Sequence, residues 1–306
     1  MILPIREIIN ELADSERPIS NLGLAELSNI GAENLRFLES LWPTIKPERR
    51  REITSRLVEL AEENFELDFD EIFKSCLNDP DAEVRSNAIE GLWENEEPSL
   101  INTFIDLMEN DKSATVQAAA ATGLGKFAIL SEQQKLRPLY TSKLYQSLLN
   151  TVNKKGAPVE VKRRALEAVA PLNSPEVEKA IAEAYRSNNV KLKISSIYAM
   201  GKTANPIWLQ LLLNESTNPD PEIRYEVARA FGDIGDEGAI PSLVDLASDS
   251  DIEVQLSAIK ALGQVGGTEA KNFLEQCLDD PNETIQQTAE QVLKELLAIS
   301  ENSSPF

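Results

Sequence analysis

The chain has 306 residues, 30 basic and 51 acidic, with a formal charge of −21 and a hydrophobic fraction of 42%. That apolar fraction supports a continuous core and excludes wholesale disorder, while so negative a field repels phosphate backbones and argues against nucleic acid as the main ligand. Because there is no histidine and there are only two cysteines, Ser-His-Asp and Cys-His arrangements, His-containing zinc sites, all-cysteine zinc sites and disulfide frameworks are all excluded.

Residues 1–29, opening MILPIREIINELADSERP, fall outside the period that governs the rest of the chain and are expected to form an N-terminal helical cap. Arg6, Glu7 and Glu11 interrupt any signal-peptide core, and no apolar run of about 18 residues follows, so no membrane segment is expected. The free thiols of Cys76 and Cys277 fit a reducing, cytoplasmic setting.

From residue 30 to residue 297 the sequence repeats itself. Aliphatic anchors stand at Ile53, Val84, Val116, Val161, Leu192, Ile223, Val254 and Ile285, spaced 31, 32, 45, 31, 31, 31 and 31 residues apart. Offsets 0, 4, 7 and 8 from each anchor are apolar or small, which is one face of an α-helix. Glycines at offset 9 (Gly125, Gly201, Gly232 and Gly263) are expected near the end of that helix. Ahead of it, Asp81, Asp220, Asp251 and Asn282 stand three residues before an anchor, where a side-chain oxygen caps the first free N–H groups. A second apolar run precedes each cap, as in IFKSCL, LINTFIDLM and IPSLVDLA, so each repeat reads as a helical hairpin of about 31 residues. Alone, a hairpin cannot bury both faces; stacked, it can.

Taken along the chain, the hairpins differ in detail. The first replaces the acidic cap with KPERRREITSR, where Lys46, Arg49, Arg50, Arg51 and Arg56 form either an anion site at a helix start or a solvated face balanced by Glu48 and Glu52. The 45-residue spacing predicts a longer connection within about 126–157, feeding an extended first helix through Leu144, Leu148 and Val152. A second basic segment, NKKGAPVEVKRRALE, follows it. In NPDPEIRYEVARAFGDIGDEGAIPSL, residues 233–244 resemble a calcium loop at positions 1, 5 and 6, but Gly235 and Val244 stand where ligands are needed, so no metal is expected. Residues 298–306 are expected to be a flexible tail.

The motifs DPDAEVRSNAIEGL, DPEIRYEVARAFGDIG and DIEVQLSAIKALGQVG resemble the short HEAT-like repeats of phycobilin lyase subunits and of many bacterial HEAT-repeat proteins. The resemblance implies an all-α fold, an α-solenoid of stacked helical hairpins. It also implies either a non-catalytic scaffold that binds a protein or peptide on its concave face, or an enzyme-associated accessory subunit, such as the phycobilin lyase subunits that hold a tetrapyrrole and an acceptor protein. The histidine ligands of HEAT-like metal hydroxylases are missing here, and no cofactor is expected.

If offsets 0, 4, 5, 7 and 8 are buried, offsets 2 and 6 face outward. Offset 2 reads Ile194, Tyr225 and Leu256 in three consecutive repeats, and offset 6 adds Tyr198, Arg229 and Lys260. This stripe either lines a partner groove or packs against neighbouring helices. The overall charge favours a basic partner, or serves solubility.

Overall fold

The computed structural model describes residues 4–302, with side chains to residue 298, and the described residues contain helices and no strand. The N-terminal element is α1 (Ile5–Ala13) and α2 (Asn21–Ala25), followed by α3 (Ala32–Leu41) and α4 (Pro47–Glu63). The chain then alternates first helices with second helices, the first being the shorter in all but the third pair. These run α5 (Asp70–Cys76) and α6 (Ala82–Gly91), α7 (Ser99–Asn110) and α8 (Ala114–Glu132), α9 (Pro138–Asn153) and α10 (Val159–Val169). After them come α11 (Pro175–Tyr185) and α12 (Val190–Lys202), α13 (Leu209–Glu215) and α14 (Pro221–Ile234), α15 (Ile240–Leu246) and α16 (Ile252–Val265), and α17 (Gly267–Gln276) and α18 (Glu283–Asn302). Residues 303–306 of the expected tail lie outside the described residues.

The chain divides into two compact units, the first ending at Ala168 and the second beginning at Val169. In the first, the second helices stack in the order α4, α6, α8; in the second, they stack in the order α12, α14, α16, α18. The anchors explain the stacking: Ile53, Val84, Val116, Val161, Ile223, Val254 and Ile285 are all buried, as are the alanines four and seven residues on, such as Ala88, Ala258 and Ala261. Small side chains there let backbones approach, and the large ones between them fill the remaining space. The additional residues of the 45-residue spacing lengthen helices: α8 runs 19 residues and α9 runs 16, with Leu144 and Leu148 buried on α9.

The caps form where the spacing puts them. Asp81 accepts from the backbone N–H of Glu83 and Val84, Asp220 from Glu222, Asp251 from Glu253, and Asn282 from Thr284. Three of the four glycines at offset 9 stand within two residues of the helix end, as expected, and Gly125 alone lies deep inside its helix. Gly125, Gly201, Gly232 and Gly263 lie inside α8, α12, α14 and α16, and the last two helices end three residues later, at Gly235 (φ 70°) and Gly266 (φ 71°). The left-handed turn that a helix end favours falls on Gly235, while Gly266 ends its helix at positive φ with ψ −155°. Three of the offset-9 glycines, Gly201, Gly232 and Gly263, also mark close approach: a Cβ on Gly201 would lie 2.8 Å from the Ala230 Cα of the next second helix.

The acidic residues of the former calcium-loop stretch have structural partners. Asp233 pairs with Lys202 at 3.0 Å, and Asp236 accepts from the Gly238 N–H at 2.8 Å to start the turn before α15. Cys76 and Cys277 are buried and unpaired, and burial pushes the Cys76 thiol up to about 12, so both behave as small apolar side chains.

Candidate functional site

The basic segment at the start of α4 is in part the solvated face balanced by Glu52, with Lys46 exposed and Arg51 and Arg56 half-exposed, but two of its arginines turn inward. Arg49 and Arg50 are buried: the Arg49 Nε donates to the Leu12 carbonyl at 3.0 Å, and Arg50 lies 2.9 Å from Asp79. Arg51 donates twice to the cap residue Asp81, at 3.0 and 2.6 Å, and Arg56 pairs with Glu52 at 3.0 Å. These arginines tie the N-terminal element and the next loop to α4. In the second basic segment Arg164 pairs with Glu160 at 3.1 Å and with Glu167 at 2.9 Å.

The predicted stripe lies within the second compact unit, and the structure keeps only part of it. Ile194 is buried at 5% exposure because the buried arc of α12 is rotated: Ile194, Ser195, Ser196 and Ile197 face inward, while the anchor Leu192 is only half-buried. The expectation that Ile194 faces a partner is therefore corrected. Tyr198, Tyr225, Arg229 and Leu256 are half-exposed and Lys260 is exposed. The Arg229 guanidinium sits 5.3 Å from the Tyr198 ring and 5.8 Å from the Tyr225 ring, and pairs with Glu226 at 3.2 Å. The Lys202 ammonium also lies over the Tyr198 ring, at 5.4 Å. The stripe is thus a ladder of cation–aromatic contacts across α12 and α14, in which Arg229 and Lys202 are already engaged.

A larger concavity, missed by the sequence reading, lies in the first compact unit. It is a cleft of about 770 Å³ between the second helices. Its floor is small and apolar: Val58 and Ala61 from α4, Ile89 from α6, and Ala118, Ala119 and Gly123 from α8. Phe65 and Trp93, just past the ends of α4 and α6, stand at its edge with 86% and 48% of their surface exposed. Glu62, Glu90 and Glu94 rim the same side, and the Glu160–Arg164 pair of α10 closes the other. The Ser86 Oγ lines the cleft, buried and without a hydrogen-bond partner.

The periodicity holds part of this signal. Ser86 and Ala118 occupy offset 2 where the second unit carries Tyr225 and Leu256, so the same outward position is empty in one unit and filled in the other. Trp93 stands at offset 9, the slot that four other repeats fill with glycine, and that departure is the signal a repeat alignment holds; Phe65, at offset 12, has no shared register to flag it.

Behind Trp93 lies the buried lysine Lys126, at 9% exposure. Its Nζ donates to the Leu92 and Trp93 carbonyls, at 2.5 and 2.8 Å, closing the C-terminal end of α6. Burial draws its pKa down to about 8, against the opposing pull of Asp70, Glu94 and Glu96. Its contacts fix the backbone on which Trp93 is carried.

The sequence model of HEAT repeats matches residues 70–149 and 206–294, more than half of the chain. The chain belongs to the HEAT-repeat family. No curated protein sequence matches it. Among solved structures, yeast importin-β (Kap95p) shares the HEAT-repeat fold at a TM-score of 0.56 and 11% identity, covering 96% of this chain and 46% of that one. This chain therefore spans about half the length of that importin. The Escherichia coli protein YibA is similar at a TM-score of 0.47 and 18% identity, over 77% of this chain and 96% of that one. Human deoxyhypusine hydroxylase is similar at a TM-score of 0.33 and 15% identity, over 96% of each chain. No helix among the described residues is long and apolar enough to cross a membrane.

Proposed function

We propose that this HEAT-repeat protein is a non-catalytic interaction scaffold that holds a segment of a protein partner against the second helices of its first compact unit. The observation that carries the reading is the cleft of about 770 Å³, with an apolar floor and two exposed aromatic side chains at its edge. Exposed aromatics beside a concave apolar surface are the usual anchors of protein interfaces. The residues around it offer no nucleophile–base pair, and the charge of −21 favours a basic partner in a cytoplasmic setting. A co-purification experiment tests this with three forms of the protein: wild type, a cleft-filled Ala119→Phe/Thr122→Phe variant, and a Tyr225→Ala/Leu256→Ala variant of the second-unit ladder. Capture should be lost in the cleft-filled form at unchanged helicity and kept in the ladder variant; the reverse pattern would move the binding site to the second unit.

The volume of the cleft also lies in the range of small-molecule sites, and on this rests the second reading, an enzyme-associated accessory subunit resembling the phycobilin lyases. Visible absorbance of the purified protein, or a bilin-induced rise in melting temperature, separates the two readings.

A further inference from the structure

We infer that the occupant of the first-unit cleft is an amphipathic helix with a lysine- and arginine-bearing polar face, seated with its apolar side on the alanine floor and its cations toward Phe65 and Trp93. The inference rests on the scaffold reading above and adds the chemistry of the partner. The backbone argument comes first. The elements that contribute the floor are helices, whose N–H and C=O groups are spent within themselves, so an extended segment would find no edge to pair with. A helix satisfies its own backbone and needs only side-chain contact. Size agrees: a cleft of about 770 Å³ accommodates roughly two turns of an α-helix. The small residues Ala61, Ala118, Ala119 and Gly123 allow the close approach that helix packing requires.

Charge then selects the polar face. Glu160 and Arg164 neutralise each other across one wall. Glu62, Glu90 and Glu94 are exposed on the opposite rim, and none of them forms an ion pair among the described residues. An acidic helix would meet three carboxylates there, of which Glu94 lies near a cation, the buried Lys126. A basic one meets three complementary charges and two exposed aromatic faces suited to cations.

The test is selection from a displayed library of binary-patterned helical peptides whose polar positions vary freely among Lys, Glu and Gln. The full-length protein is the bait, and the Ala119→Phe/Thr122→Phe variant is the counter-selection. Enriched peptides should favour Lys over Glu. One of them, made synthetically, should bind wild type about tenfold more tightly than the Glu62→Lys/Glu90→Lys/Glu94→Lys variant in a fluorescence anisotropy titration. Enrichment of neutral or acidic peptides overturns the charge inference and leaves the cleft as a binding site. No enrichment over the filled variant overturns the cleft itself, and with it the observation on which the scaffold reading stands. Self-association in sedimentation that the filled variant abolishes identifies a second copy of the chain as occupant and overturns the basic-helix inference.

Discussion

Two glycines at the same offset of different repeats do opposite work. A Cβ on Gly201 would press to 2.8 Å from the Ala230 Cα, whereas one on Gly125 would sit at 3.6 Å from Ala168, an ordinary contact. Gly201→Ala should therefore cost about 1–3 kcal/mol, because α12 and α14 must part to admit it. Gly125→Ala should stabilise by about 0.5–1 kcal/mol, through better helix propensity alone. Equilibrium urea unfolding of both variants checks the pair; equal signs would refute the close-approach account. Lys126 supplies a pH test at the same scale. Its pKa is about 8 in the folded chain against an ordinary 10.5, so between those values the unfolded chain binds a proton that the folded one has released. Stability linked to Lys126 therefore rises with pH across that window, by up to about 1.4 kcal/mol per pH unit, and is constant below it. Cys76 pulls the other way above its ordinary 9.0. The clean readout is thus the difference in unfolding midpoint between wild type and Lys126→Met, which should grow in favour of wild type from pH 8 towards pH 10.5.

At the scale of the element, the loop before each second helix is a small hydrogen-bonded device. Five residues ahead of the anchor, Asp79, Asp111, Asn218, Asp249 and Asp280 each accept from the N–H of the cap position two residues on, at 2.7–2.9 Å. One residue past the anchor, a long polar side chain folds back onto the carbonyl of that same residue: Arg85, Gln117, Arg224, Gln255 and Gln286. An arginine does more, because it also binds the carboxylate of the next loop. Arg85 grips Asp111 at 2.8 Å twice, and Arg224 grips Asp249 at 2.6 and 2.7 Å. Arg224→Gln should keep the fold-back, as Gln255 does, and lose the bridge between repeats, at a cost of about 1–3 kcal/mol. The bridges also predict acid sensitivity. Hydrogen bonds from Arg224 hold the Asp249 carboxyl below its ordinary 3.8; those from Arg51 do the same for Asp81; at Asp111 burial raises the pKa but Arg85 and the Ser113 N–H outweigh it. A carboxylate with a depressed folded pKa contributes stability that is complete above 3.8 and is lost as pH falls through the lower value. Urea midpoints measured above and below 3.8 should fall on acidification, and fall less in Arg224→Gln.

At the scale of the whole molecule, the terminal hairpin closes the second unit. Ile285, Ala289 and Val292 of α18 are buried, and Val292 lies where a Cβ on Gly263 of α16 would be, at 2.2 Å. Removing residues 267–306 strips this cover from α16, and in a quasi-one-dimensional stack that loss falls on the neighbouring interface. The truncated chain should unfold several degrees below the full chain in a thermal melt followed by circular dichroism. An unchanged melt would show that α17 and α18 seal nothing. The division at Ala168 is not visible in the repeat pattern, since Val161 and Leu192 keep the 31-residue step across it.

The order of residues by itself determined the hairpins, their caps and the buried anchors, because these depend on spacing along one helix and on local hydrogen bonds. Asp81, Asp220, Asp251 and Asn282 cap as their positions dictate, whatever packs beside them. The site was legible only in part. Ile194, Tyr225 and Leu256 share one offset, yet Ile194 is buried while the other two are half-exposed, because the rotation of a helix in its stack is set by its neighbours. The buried arginines of KPERRREITSR, the close approach at Gly201, and the cleft framed by Phe65 and Trp93 arise between residues far apart in the chain. Tertiary packing decides them, because burial and empty space are properties of several helices at once.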